Sequence, residues 1–64
     1  MTANPNRNEL VIQEIINGSP GDYERYQMAS ADYARKRFDE LKEYWPGRKF
    51  ILVKRTTGDE IIAD

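Results

Sequence analysis

The chain has 64 residues, with ten Lys or Arg against eleven Asp or Glu and a net charge of −1, so no overall field draws it to nucleic acid or to an anionic surface. It has neither Cys nor His, which excludes disulfides, thiol chemistry and imidazole as base or metal ligand. A domain this small buries only about 60% of its unfolded surface, so contact with another molecule is expected to supply extra stability.

Residues 1–8, Met-Thr-Ala-Asn-Pro-Asn-Arg-Asn, hold no apolar run and are expected to form a flexible lead rather than a signal peptide. One domain is expected over residues 9–64. Its apolar stretches fall far short of the ~20 residues that span a bilayer. A cytoplasmic location is expected on that ground and on the missing cysteines.

Four of the seven residues from Leu10 to Ile16 are β-branched, which favours a first strand over about 9–16. The same residues also fit a helical stripe, Val11, Ile12, Ile15 and Ile16, with Gly18 as its stop. Ser19-Pro20-Gly21-Asp22 is rich in turn formers, and a turn is expected there. Tyr23 to Ala29 then reads as a second strand, with Tyr26 and Met28 inward and Arg25 and Gln27 outward. A rival pattern runs one long helix from Asp22 to Trp45, with Ser30 arguing against it.

The clearest element is a helix from about Ala31 to Trp45. Ala31, Ala34, Phe38, Leu41 and Trp45 share one face. Ser30 is a candidate N-cap, Asp32 suits the positive end of the dipole, and Pro46-Gly47 ends the run. Lys49 to Arg55 follows as a strand. Thr57-Gly58-Asp59 is expected to turn the chain so that Ile61 and Ile62 pair back in a short last strand. Thr57 and Glu60 would alternatively cap a final helical turn, too short to stand alone.

The fold class is therefore α+β. It is a β-β-α-β single domain with one amphipathic helix on a sheet of three or four strands. Leu10, Ile12, Ile16, Tyr26, Met28, Ala34, Phe38, Leu41, Phe50 and Leu52 are the expected core, with Trp45 closing one end.

Four apolar residues stand in a row at Phe50-Ile51-Leu52-Val53, so the last long strand carries apolar side chains on both faces. One helix covers one face. The other is expected to be an exposed patch of Val11, Ile15, Ile51 and Val53, framed by Arg25, Lys54 and Arg55. A patch of that kind binds a partner, a second copy of the chain being the simplest. This points to a small non-enzymatic protein that binds protein, as a homodimer or through a sheet face or edge strand.

Charge suggests an alternative. Residues 1–34 hold two basic and five acidic groups, residues 35–55 eight basic and three acidic, and the tail from Thr56 three acidic groups. Arg35, Lys36, Arg37, Arg48 and Lys49 are therefore candidates for phosphate contact in a small nucleic-acid-binding module, with Tyr23 and Tyr44 able to stack on bases. Asp39, Glu40 and Glu43 break up the cluster, and no RNA-binding signature accompanies it.

No enzyme is expected. The carboxylates sit where a solvated helix side puts them, no His can activate a Ser or Thr, and the four glycines form no phosphate loop. No metal, cofactor or small-molecule substrate is expected, since no EF-hand spacing occurs. Size and element order resemble those of many very short proteins of bacteriophages and mobile elements, among them anti-CRISPR and anti-restriction inhibitors with compact one-helix α+β folds. That resemblance implies an accessory protein that occupies a surface of a host defence machine. It transfers no site residues.

Overall fold

The computed structural model describes residues 8–64. The order is β1 (Glu9–Ile16), β2 (Ser19–Gln27), a 3-10 turn (Met28–Ser30), α1 (Ala31–Tyr44), β3 (Lys49–Arg55) and β4 (Asp59–Ala63). All four strands join one antiparallel sheet in the order β2-β1-β3-β4, with α1 on one face. The expected α+β fold is present, with the fourth strand formed. Among the described residues no helix is long and apolar enough to cross a membrane. The expected lead, apart from Asn8, lies outside the described residues.

The first hairpin turns one step earlier than the Ser-Pro-Gly-Asp cluster suggests. Ile16 pairs with Ser19, and the two residues between them, Asn17 and Gly18, have φ of 54° and 79°. Positive φ at both positions is what a two-residue loop needs to match the twist of its strands, and Asn-Gly meets it at least cost. Ser19 to Asp22 are therefore strand residues, and β2 ends at Gln27 rather than Ala29.

Between Ile12 and Gln13 the β1–β2 register jumps from Glu24 to Asp22, which leaves Tyr23 as an extra residue in β2. The bulge keeps Glu24 and Tyr26 on the helix side beside Ile12 and Leu10. It puts Asp22 beside Gln13 on the opposite side. Tyr23 turns back to the helix side, where its ring meets Phe50 edge to face at 5.3 Å.

The helix buries Ala34, Phe38 and Leu41 against Leu10, Ile12, Phe50 and Leu52. Tyr26 and Met28 pack at the margin of this cluster. Ile16 does not join it and is 58% exposed, because the tight Asn-Gly loop holds it at the far tip of the hairpin. Ser30 makes no side-chain cap. Its φ of −103° and ψ of 27° lie outside the extended region an N-cap uses, and the Ala31 N–H already donates to the Met28 carbonyl. Trp45 caps the other end through its backbone, its N–H donating to Leu41 O at 2.9 Å, while the residue stays 41% exposed.

The second sheet face corrects the largest expectation. Val11, Ile51 and Val53 are 0%, 6% and 1% exposed within the single chain, with Ile15 half-buried against them. The apolar patch expected to seek a partner is closed. Part of the reason is Arg55. It sits on β3 and hydrogen-bonds Asp22 on β2, at 2.9 and 3.2 Å. Since β1 lies between those strands, the Arg55 stem must cross it on the face that carries Val11. The same guanidinium grips Asp59 on β4 at 2.8 and 3.0 Å. A long arginine stem covers apolar surface while its head stays polar. No single residue type announces this strap, because its three members lie up to 37 positions apart on three strands.

Candidate functional site

A concave surface runs between β2 and the C-terminal half of α1. Its walls are Tyr23, Leu41, Tyr44 and Trp45, its charged rim is Arg37, Glu40 and Glu43, and it encloses about 610 Å³. That volume lies within the range of ligand clefts. Local structure explains why aromatics collect there. The bulge aims Tyr23 toward the helix, and Pro46-Gly47 ends the helix just after Tyr44-Trp45, both of which are exposed there. Those two rings stand perpendicular with centroids 4.9 Å apart. Tyr44 is 73% exposed.

Two arginines build the groove rather than fill it. Arg37 donates from Nε and Nη2 to the Glu24 carboxylate at 3.1 Å each, and its Nη1 lies 3.7 Å from Glu40. Tyr26 Oη also donates to Glu24. Burial pushes the Glu24 pKa upward, but the Arg37 and Tyr26 hydrogen bonds outweigh it and hold the carboxyl below its usual range. Burial, then the adjacent Glu24, raises the Tyr26 phenol to about 12. Beside them, Tyr26 and Tyr33 meet edge to face at 5.5 Å.

Arg48 braces two of the groove's aromatic walls, Tyr23 and Trp45, without lining the groove itself. It donates from Nε and Nη2 to the two Glu14 oxygens at 2.6 Å each. Its guanidinium lies 5.2–5.4 Å from the ring centres of Trp45, Tyr23 and Phe50. The hydrogen bond from Arg48 lowers the Glu14 pKa despite partial burial.

These pairings bear on the residues singled out by charge. Arg37 and Arg48 are held in forked ion pairs with carboxylates. Arg35, Lys36 and Lys49 are exposed. Arg35 and Lys36 sit in the first half of α1, while Lys49 begins β3 beyond the other end of the helix. The two groups are separated by roughly 14 Å of helix axis at 1.5 Å per residue. The five basic residues thus do not form one continuous free patch.

Of the seven residues expected to meet a protein partner, Arg25 and Lys54 are exposed, and Arg55 is held in its strap. Val11, Ile51 and Val53 are core, and Ile15 flanks them. The outer edges of β2 and β4 have no strand beside them among the described residues. β2 is exposed along most of its length. Ile61 and Ile62 on β4 are 61% and 38% exposed.

The sequence suggests Tyr23 and Tyr44 as stacking rings, Trp45 as a lid on one end of the core, and Glu40 and Glu43 as a solvated helix side, without bringing the five together. A usable signal was the aromatic pair at the very end of an amphipathic helix. The bulge that brings Tyr23 opposite has no sequence mark. No family model, no curated protein and no solved structure matches the chain.

Proposed function

We propose that this chain is a protein-binding module that captures an extended segment of a partner along the outer edge of β2, beside the aromatic groove. The observation that carries the proposal is the juxtaposition of an unpaired strand edge with a concave, aromatic-walled surface on the helix side. An added strand gains main-chain hydrogen bonds from the edge. Its alternate side chains then point either at the groove or away from the helix. Tyr23, Tyr44 and Trp45 belong to the residue types that dominate binding energy at protein interfaces.

The edge is suited to the task in two ways. The bulge at Tyr23 limits pairing with a second flat sheet, which guards against aggregation. The ion pairs of Glu24 with Arg37 and of Glu14 with Arg48 fix the groove walls before a ligand arrives, so little ordering is left for binding. Contact through an edge strand is retained here from the sequence-based expectation, and contact through the sheet face is dropped. Whether the partner belongs to a host defence system, as the resemblance implies, is a matter for pull-down from host lysate.

The test is selection of peptides from a random library against the immobilised protein, followed by amide chemical-shift mapping. Shifts are expected along Tyr23–Gln27 and Glu40–Trp45. Peptides that instead perturb β4, or a library that yields no binder, overturn the proposal.

A further inference from the structure

The geometry points to a basic segment, rich in Lys or Arg, as the occupant of the groove, with one of its cationic side chains clasped by Glu40, Glu43, Tyr44 and Trp45. This rests on the strand-capture proposal above and specifies its partner chemistry.

Charge supplies the first argument. Arg37 is the one cation of the groove lining, and it serves both Glu24 and Glu40, at 3.1 and 3.7 Å. Within the lining Glu40 and Glu43 stand against Arg37 alone, and Arg37 is already engaged by Glu24, so the groove carries an excess of negative charge. Lys36 stands one turn before Glu40 on the helix but does not line the groove. Glu40 and Glu43 are exposed, so a ligand cation meets them without displacing a buried pair.

Ring geometry supplies the second. A cation is attracted to the face of an aromatic ring within about 6 Å of its centre, best with Trp, and two rings at right angles offer two walls of a box. Tyr44 and Trp45 stand at 90° with much of their surface open. The chain already uses the same chemistry at this corner. There the Arg48 guanidinium lies 5.2 Å from the Trp45 ring and 5.4 Å from the Tyr23 ring, with Glu14 as its counter-ion. The groove lining repeats the set of aromatic wall and carboxylate, and its one cation, Arg37, is already engaged by Glu24.

Trp45 is the chain's single tryptophan, so its fluorescence reports the site directly. The probes are three octapeptides that alternate Thr with Lys, Gln or Glu and so present either series to the groove. The Thr-Lys peptide is expected to shift Trp45 emission saturably, and the Thr-Glu peptide to leave it unchanged. The double variant Glu40→Gln, Glu43→Gln keeps helix propensity and is expected to weaken Thr-Lys binding about tenfold. Tyr44→Ala, at an exposed position, is expected to weaken it as well. Equal binding of the Thr-Gln peptide overturns the basic assignment while leaving strand capture intact. Unchanged affinity in the double variant, or preference for Thr-Glu, also overturns the assignment. If none of the three binds although the library selection succeeds, the basic assignment alone falls; failure of both removes strand capture too.

Discussion

Val53→Ala separates a side chain buried by its own domain from one waiting for a partner. Val53 is 1% exposed and pairs across strands with Val11, itself fully buried. The substitution removes two methyl-sized groups. At about 0.8 kcal/mol each, their transfer accounts for about 1.6 kcal/mol. The cavity left between β1 and β3 adds to this, so the expected loss is about 2–3 kcal/mol. A domain this short has roughly 3–5 kcal/mol to lose, so the urea midpoint should fall by about half or more. Ile61 is the control: it pairs with Val53 on the same face but is 61% exposed, and Ile61→Ala should cost no more than about 0.5 kcal/mol. Unfolding is followed by Trp45 fluorescence at two protein concentrations about tenfold apart. Burial within one chain requires midpoints that do not move with concentration, since only association makes them do so. Equal losses for Val53→Ala and Ile61→Ala would refute the reasoning, and so would a wild-type midpoint that rises with concentration.

Asp22 should make folding sensitive to acid. Hydrogen bonds from Arg55 and then Gln13 lower its pKa from 3.8 to about 2 in the folded chain. Stability from this group is therefore fully present above pH ~4 and is lost as pH falls toward ~2. Asp22 is 40% exposed, so solvent screening keeps the effect below about 1 kcal/mol. Urea midpoints measured across that window should flatten in Asp22→Asn, and an unchanged slope would count against the strap. Gly18→Ala forces a Cβ onto a φ of 79° and should cost about 1–2 kcal/mol, whereas Gly47→Ala, with open space around it, should be nearly silent in thermal melts. Arg48→Lys keeps the charge but loses the fork that binds both Glu14 oxygens and stacks on the rings. It should lower the urea midpoint and alter near-ultraviolet dichroism, while Lys49→Ala, at an exposed position, should do neither.

Local order was largely legible before any fold was known. The period of Ala34, Phe38 and Leu41 marked the helix and its buried face, and Pro46-Gly47 its end. The continuous run from Phe50 to Val53 marked β3 to the residue, from Lys49 to Arg55. These signals lie within one element and rest on short-range sterics and burial. The Ser19–Asp22 turn misled because four turn-forming residues stand in a row there, whereas the loop sits at Asn17-Gly18, the pair that takes positive φ at both positions.

The sequence by itself determined that strands β1 and β3 carry apolar side chains on both faces, that one helix covers one of them, and that no imidazole or thiol chemistry exists. Tertiary structure decided what becomes of the second face and where the binding surface lies. The Arg55 strap joins residues from three strands across β1, and the groove joins a bulged Tyr23 to rings twenty-one and twenty-two residues later. The physical reason is that a side-chain pattern records which way each residue points along its own strand or helix. It does not record which distant residue will stand opposite, because that depends on register and on a single extra residue in β2.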